Sequence, residues 1–184
     1  MLPIECIVRG YFYGSLFSRW ENGKISLDKD TPTDLAAQLP KPIFDPTTKS
    51  THDIPLDKEQ AISQELVTSR EYDWLSEESI KIYQKMVTIA DNAGFILADL
   101  KLEFGKLNDE IILADSIGPD EFRLWPKNTY KIGKTQEAFD KQLLRDWLTE
   151  NGYQKKFEDA RLSGEEPIAP SIPSDLISKM TQRY

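Results

Sequence analysis

The stretch that decides the fold is Phe95-Ile-Leu-Ala-Asp-Leu-Lys-Leu-Glu-Phe104, which a short turn separates from a second apolar run, Glu110-Ile-Ile-Leu-Ala-Asp115. Two runs of strand-forming residues joined by a segment of glycine, asparagine and aspartate predict a β-hairpin. Because side chains alternate along a strand, Asp99, Lys101 and Glu103 project from one face and their apolar neighbours from the other. The first strand of the hairpin therefore has a charged face and a core face.

The charged face of this strand has two interpretations. On an ordinary solvated strand such an alternation carries no chemistry. Here the second strand ends in Asp115 and is followed by Asp120. Carboxylates that converge from adjacent strands with a lysine between them suit a hard cation and phosphate. In such a site Mg²⁺ takes one or two protein carboxylates, and substrate oxygens complete its shell.

Further candidate residues lie outside the hairpin. Arg9 is in the opening apolar segment, Ser15 follows that segment, and Arg123 lies beyond the hairpin. An arginine near a hydroxyl suits a phosphate or carboxylate because the planar guanidinium makes two charge-assisted hydrogen bonds. Taken singly, each arginine is better explained as a surface residue or an ion-pair partner. Lys49 with His52-Asp53 forms another cluster, in which a lone histidine is more often a structural hydrogen-bond partner than a general base.

The remaining segments complete an α+β pattern, a mixed or antiparallel sheet packed on helices. The opening segment predicts a strand that runs into a turn at Gly14-Ser15. Residues 40–56 are rich in proline and predict a long ordered loop. The helical segments are predicted at 56–67, at 76–92 with Ser76 as N-cap and Ile80, Tyr83, Val87 and Ala90 on its apolar stripe, at 135–151, and from Ser174 after an extended tail at 163–173.

Length and composition restrict the function classes. The 184 residues, predicted as a single domain over 1–184, carry 23 Lys+Arg against 31 Asp+Glu, a net charge of −8. Nucleic acid and anionic membranes are therefore not expected partners. The single Cys6 and the lone His52 form neither an intramolecular disulfide nor a zinc cluster. No apolar run reaches transmembrane length and the first residues lack a signal-peptide pattern, so we expect a cytoplasmic protein.

Five stretches resemble the phosphoribosylaminoimidazole-succinocarboxamide synthase (SAICAR synthetase) family of purine biosynthesis. They follow the family's order and span nearly the whole chain: 2–15, 42–49 with His52-Asp53, 97–105, 115–125 and 140–148. The resemblance implies a SAICAR-synthase-like substrate and ATP domain and an ATP-dependent ligase. In that reaction ATP activates the carboxylate of carboxyaminoimidazole ribonucleotide as an acyl phosphate. The amino group of L-aspartate then displaces phosphate to give SAICAR, ADP and phosphate.

The resemblance also implies which residues hold the substrate. Arg9, Ser15 and Arg123 would bind the ribonucleotide, including its 5′-phosphate. Lys49 and Asp53 would belong to a loop that closes over the imidazole.

The ATP side of the reaction is implied in the same way. Lys101 would reach phosphate or carboxylate oxygens, and Asp120 would lie beside the nucleotide, so these two are the implied catalytic residues. Glu103 and Asp115 would ligate a Mg²⁺ that bridges ATP and the substrate carboxylate. Glu5 would belong to the strand against which adenine packs.

The sequence departs from the family pattern in two respects. Family members begin with a further small antiparallel subdomain whose loop covers the ATP phosphates, and we expect this chain to lack it. Ser116 stands where the family usually has glutamate after the aspartate, and Gly118, Phe122 and Pro126 also differ. The metal edge of the site is therefore the part of the resemblance that departs most from the family pattern.

These departures predict a substrate-binding portion with little ligase activity alone. The missing lobe would come from another chain or from an upstream part of the gene, and the alternative partner is a second copy of this chain in a homo-oligomer. One alternative is a non-catalytic truncated relative that acts as a nucleotide-binding or oligomerisation module. Another is a kinase-like phosphotransferase that uses Lys101, Glu103 and Asp115 on a small alcohol.

Overall fold

The predicted hairpin belongs to an antiparallel sheet in the first of two units of the chain. The computed structural model describes residues 1–50, 53–165 and 167–183, and the units are Met1–Glu137 and Ala138–Tyr184. The six strands of the sheet are β1 (Ile4–Tyr11), β2 (Gln38–Phe44), β3 (Thr47–Thr48), β4 (Phe95–Leu107), β5 (Glu110–Leu113) and β6 (Phe122–Pro126). The main path is β2-β1-β4-β5, while β3 pairs with β1 and β6 with β4. Every pairing is antiparallel, which confirms the α+β fold class and selects the antiparallel form of the sheet.

The hairpin turn is tighter than its sequence suggested. β4 continues through Gly105 to Leu107, so the turn is Asn108-Asp109 rather than the segment 105–109. Both turn residues have positive φ, 50° and 64°, the left-handed geometry that matches the twist of a two-residue hairpin. Asparagine and aspartate tolerate this conformation better than most residues.

The apolar face of the sheet packs against the longest helix. The helices among the described residues are α1 (Gly14–Glu21), α2 (Lys58–Ser63), α3 (Ser69–Asn92), α4 (Gln142–Glu150), α5 (Tyr153–Ser163) and α6 (Ser174–Arg183). α3 contacts β1 and β4, with Leu75, Ser79 and Tyr83 buried. Within the described residues, no helix has both the length and the apolar character needed to cross a membrane.

α3 begins seven residues before the predicted Ser76. Its N-cap is Thr68, whose hydroxyl accepts a hydrogen bond from the Glu71 amide while the Glu71 carboxylate accepts one from the Thr68 amide. This reciprocal capping box satisfies amides that would otherwise lack partners. The predicted stripe from Ile80 to Ala90 does pack into the core, so the periodicity identified the buried face although the start was wrong.

Other predicted boundaries were also corrected. The segment 40–56 is not one long loop, because β2 and β3 pair with β1 within it. Gly14-Ser15 opens α1 rather than a simple turn. The helix predicted at 56–67 is shorter in the structure, where α2 covers only Lys58–Ser63. The strand β6 was not predicted.

The second unit contains three helices among its described residues. The helix predicted at 135–151 starts only at Gln142, whose amide donates to Asp140 Oδ1 at 2.7 Å. α5 occupies 153–163, where no helix was predicted and where Ser163 was assigned to the extended tail, and the predicted helix from Ser174 is present as α6. The single domain over 1–184 stays a prediction.

We predict that G10A destabilises the first unit. A Cβ at Gly10 would lie 1.9 Å from the Tyr83 hydroxyl, which donates a buried hydrogen bond to the Leu97 carbonyl at 2.7 Å. The added methyl group must displace the tyrosine ring and break that bond, so the free energy of unfolding should fall by about 3 kcal/mol in urea denaturation. G118A is the matched control because its Cβ would meet open space. Equal stability of the two variants would contradict this packing.

We also predict that the Cys6 thiol is inert in the folded protein. Cys6 is fully buried, and burial raises the pKa of its thiol to about 12. Because the thiolate is the reactive form, 5,5′-dithiobis(2-nitrobenzoate) should label the native chain negligibly and label it stoichiometrically in guanidinium chloride. Rapid labelling under conditions where the circular dichroism spectrum is native would contradict the prediction.

Candidate functional site

The register of β1 with its neighbours places the predicted polar side chains on one face of the sheet. Residues that lie directly opposite in an antiparallel pair project from the same face. The cross-strand pairs on this face are Glu5–Glu103, Ile7–Lys101 and Arg9–Asp99 between β1 and β4, and Asp99–Arg123 between β4 and β6. The opposite face of the same strands is the apolar core. The polar face is therefore a consequence of the strand alternation seen in the sequence.

Five alternating charges, which we call the arginine ladder, occupy one end of this face: Arg19, Asp45, Arg9, Asp99 and Arg123. Asp45 Oδ2 lies 2.5 Å from Arg9 Nε and 2.5 Å from Arg19 Nη2. Asp99 Oδ2 lies 3.6 Å from Arg9 Nη1 and accepts a hydrogen bond from Arg123 Nη1. Three guanidinium groups and two carboxylates give the ladder a formal charge of +1.

The start of α1 adds further positive potential beside the ladder. Arg9 Nη2 donates to Ser15 Oγ at 2.8 Å, and Ser15 lies in the first turn of α1. Tyr13 at the N-cap makes no capping hydrogen bond with its side chain, and the helix dipole concentrates partial positive charge at this end. Gly14 has φ +61°, and a Cβ there would lie 3.0 Å from Arg123 Nη2. Glycine thus permits both the turn and the approach of the guanidinium.

A second group, which we call the lysine cluster, occupies the other end of the face: Lys49, Glu103, Lys101, Glu5 and Glu121. Lys101 Nζ lies 2.9 Å from Glu121 Oε2, 3.1 Å from Glu103 Oε1 and 3.4 Å from Glu5 Oε1. Lys49 Nζ pairs with the other oxygen of Glu103. Two lysines and three glutamates give the cluster a formal charge of −1.

Lys101, Glu103 and Asp45 keep their ionised forms at neutral pH. Burial alone would lower the pKa of Lys101, but hydrogen bonds to Glu121 and Glu103 outweigh it and hold the pKa above its usual range. Burial alone would raise the pKa of Glu103 and of Asp45. Hydrogen bonds from Lys49 and Lys101 hold the Glu103 pKa below its usual range, and the charges of Arg9 and Arg19 do the same for Asp45.

The structure brings together seven of the predicted site residues and leaves others apart. Arg9, Ser15 and Arg123 meet at the arginine ladder, and Glu5, Lys49, Lys101 and Glu103 meet in the lysine cluster, with Lys49 belonging to the predicted substrate loop. Asp53, Asp115 and Asp120 are exposed and are not members of either group. His52 lies outside the described residues. The roles assigned to these residues stay predictions.

The two predicted Mg²⁺ ligands, Glu103 and Asp115, contact other groups in the chain. Both oxygens of Glu103 pair with lysines, and Asp115 Oδ1 accepts the Ser116 amide at 2.7 Å. Over the described ranges, no group of three or more His, Cys, Asp or Glu side chains has an arrangement that could hold a metal ion. In this arrangement the carboxylates of Glu103 and Asp115 have other partners, and their ligation of Mg²⁺ stays a prediction.

Four members of the two groups were not predicted as site residues: Arg19, Asp45, Asp99 and Glu121. The sequence placed Asp99 on the charged face of its strand but gave it no role. Asp45 lies inside the stretch 42–49 that resembles the family. No local spacing links it to Arg9, because the two residues meet only through the pairing of β2 with β1, which the sequence did not predict. Arg19 is four residues after Ser15, a spacing that places both on one face of a helix, and the helix itself was missed. Glu121 adjoins Asp120 and becomes a site residue only because β6 pairs with β4.

Most of the chain matches the model of one known protein family. Residues 1–160 match the model described as SAICAR synthetase. The chain belongs to the SAICAR synthetase family. It is 67% identical, over all 184 residues, to the phosphoribosylaminoimidazole-succinocarboxamide synthase of Nitrosopumilus maritimus strain SCM1. The resemblance identified from the five sequence stretches is thereby confirmed.

Solved SAICAR synthetases have the same fold. The chain matches the SAICAR synthase of Saccharomyces cerevisiae in complex with SAICAR with a TM-score of 0.75 and 33% identity, covering 100% of this chain and 57% of that one. It matches a SAICAR synthetase in complex with ADP with a TM-score of 0.63 and 28% identity, covering 91% of this chain and 65% of that one. The chain spans 67% of the length of its Nitrosopumilus relative.

We predict that K101Q destabilises the chain in a pH-dependent way. Without the ammonium group, the ionised Glu5, Glu103 and Glu121 repel one another, so the free energy of unfolding at pH 7 should fall by about 2 kcal/mol. The lowered pKa of Glu103 means that its ionised form stabilises the wild type above the unfolded pKa, and this stabilisation is lost as pH falls through the folded pKa. Urea denaturation should therefore show a smaller difference between variant and wild type at about pH 3.5 than at pH 7.

The matched control is K58Q. Lys58 pairs with Asp73 at 2.6 Å, but both side chains are well exposed. Its loss should change the free energy of unfolding by less than about 0.5 kcal/mol at either pH. A K101Q variant as stable as K58Q at pH 7 would contradict the proposed role of Lys101 in neutralising the cluster.

Proposed function

We propose that this chain carries the ribonucleotide-binding part of an ATP-dependent ligase that joins L-aspartate to the carboxylate of carboxyaminoimidazole ribonucleotide. The observation that carries the proposal is the shared polar face, on which the arginine ladder and the lysine cluster adjoin. Family membership supports the reaction class, and the SAICAR and ADP in the related structures support the ligand classes. The proposal includes the substrates, ATP and the need for Mg²⁺.

The chemistry of this reaction suits a face that gathers anions. A carboxylate is a poor electrophile, so phosphorylation supplies a leaving group before the aspartate amine attacks. The site must then align a phosphomonoester, a carboxylate and a nucleotide, all of them negatively charged. The net positive arginine ladder beside the start of α1 suits the phosphomonoester.

We assign the phosphate of the ribonucleotide to Arg9, Ser15 and Arg123. Among these three residues, Arg123 is best placed to bind the phosphate. Its Nε is buried and, among the described residues, has no hydrogen-bond partner. The Tyr13 ring packs 5.7 Å from the Arg123 guanidinium and limits its movement. Lys49 and Asp53 are assigned to the loop over the imidazole.

We assign the reacting carboxylate and the nucleotide phosphates to Lys101. Its ammonium group lies among carboxylates that a substrate anion would replace as partners. Glu103 and Asp115 are the residues that would hold Mg²⁺ when the nucleotide is bound, Asp120 would lie beside the nucleotide, and Glu5 would lie near the adenine. A bound Mg²⁺ would neutralise charge that develops on the transferred phosphoryl group.

We predict that R123Q weakens binding of the ribonucleotide. Isothermal titration calorimetry of the 184-residue chain with carboxyaminoimidazole ribonucleotide should show a Kd raised by about 30-fold, because a charge-assisted bond to phosphate is lost. R70Q, at an exposed arginine of α3, is the matched control and should bind as the wild type does. If the wild-type chain binds no ribonucleotide, the non-catalytic alternative is favoured and the proposed function fails.

Turnover distinguishes the ligase from a kinase-like phosphotransferase. We expect ADP release to require both the ribonucleotide and L-aspartate, with formation of the amide product seen by mass spectrometry. Since the chain spans 57% of the yeast structure's chain, we expect its rate to be far below that of a full-length relative assayed in parallel. ADP release with a small alcohol and no amide formation would contradict the ligase.

A further inference from the structure

We propose that Asp45 is a positioning residue that holds Arg9 and Arg19 side by side, so that both guanidinium groups serve the phosphate-binding end of the polar face. The inference rests on the proposed function, because it concerns how this face binds the phosphomonoester. It adds Arg19 as a third arginine of the anion subsite and gives Asp45 a role that differs from charge neutralisation alone.

The first observation is that one carboxylate oxygen serves two guanidinium groups. Asp45 Oδ2 lies 2.5 Å from Arg9 Nε and from Arg19 Nη2. The side chains of Arg9, Asp45 and Arg19 are 3%, 14% and 16% exposed. At this degree of burial water screens the repulsion between two guanidinium groups only weakly. The arginines therefore stay adjacent because the carboxylate lies between them.

The second observation is the direction in which Arg9 is held. Asp45 takes the Nε of Arg9, while Nη2 donates to Ser15 and Nη1 faces Asp99. The two terminal nitrogens thus point toward Ser15 and toward the acid that Arg123 also contacts. Ser15 and Arg123 are the residues assigned, with Arg9, to the phosphate. Because Asp45 holds the Nε of Arg9, the two terminal nitrogens of the guanidinium face the ligand. The side chain is already ordered, which reduces the entropy lost on binding.

The third observation is that Asp45 itself is held by the backbone. It follows β2 directly and precedes Pro46, which fixes its own φ. The Asp45 amide donates to the Ile7 carbonyl at 2.8 Å, which ties the residue to β1 two positions before Arg9. Arg19 approaches from α1, where its Nε also donates to the Ser15 carbonyl at 3.3 Å. Asp45 thus links β1, β2 and α1 at one point.

A simple count of charge makes the opposite prediction. Removing the Asp45 carboxylate raises the formal charge of the arginine ladder from +1 to +2, so a subsite governed by charge alone would bind a phosphate more tightly. If Asp45 positions the arginines, its removal weakens binding although the positive charge increases. The sign of the change in Kd therefore decides between the two explanations.

The test is isothermal titration calorimetry of the full 184-residue chain with carboxyaminoimidazole ribonucleotide. We expect D45N to raise the Kd by about ten-fold and D45E to recover most of that loss, because the glutamate restores the bridging carboxylate. R19Q keeps the Arg9–Asp45 pair and should raise the Kd by about three-fold. The double variant D45N/R19Q should be no worse than D45N within error, since the two residues act through one bridge.

D73N is the matched control, because it makes the same substitution in the exposed pair with Lys58 and should leave the Kd unchanged. Circular dichroism confirms that each variant is folded before titration, and R19Q, which keeps the Arg9–Asp45 pair, provides the test if D45N does not fold. Tighter or unchanged binding by D45N, or unchanged binding by R19Q, overturns the inference while wild-type binding still supports the proposed function. A wild-type chain that binds no ribonucleotide overturns both.

Discussion

The antiparallel pairing of β1 with β4 is the constraint on which the rest of the first unit depends. One register sets Arg9 against Asp99 and Glu5 against Glu103 on the polar face, and it sets the apolar side chains of both strands against α3 on the other face. A shift of a single residue would exchange the two faces and place the charges in the core. Burial of the apolar set, with Val8 and Leu100 fully enclosed, therefore also fixes the geometry of the candidate site.

The same register places two glutamates opposite each other, and two lysines compensate their charge. Glu5 and Glu103 lie directly opposite each other, and like charges in that position destabilise an antiparallel pair. Lys101 bonds to both glutamates and Lys49 to one of them, so the pair is tolerated only with cations between the carboxylates. At the other end of the face the signs are reversed, and aspartates separate arginines. The polar face consequently has a net negative end and a net positive end, which is a suitable arrangement for ordering several charged reactants.

Sequence reasoning recovered the parts of this arrangement that are set by local patterns. Alternation in β4 identified the face with Lys101 and Glu103, and the apolar period of α3 identified its buried side. Elements set by long-range pairing were missed: β2 and β3 lie in a proline-rich segment that reads as a loop, and β6 is too short for a clear alternation. Asp45 and Glu121 enter the site only through those strands. The pairing of Arg9 with residues 36 and 90 positions away along the chain has no local signature in one sequence.

The substitution at residue 116 shows how such long-range pairing changes the interpretation of a motif. In the sequence, Ser116 stands where the family usually has a carboxylate beside Asp115. The predicted metal site therefore has one carboxylate fewer. In the folded chain Ser116 is exposed after β5, whereas Glu121 is drawn against Lys101 because the Lys101 amide donates to its carbonyl at 2.7 Å. Its carboxylate becomes the third around that ammonium group. The negative charge of the lysine cluster therefore depends on the β4–β6 pairing rather than on residue 116. Residues 116 and 121 differ in burial and in the partner that each contacts.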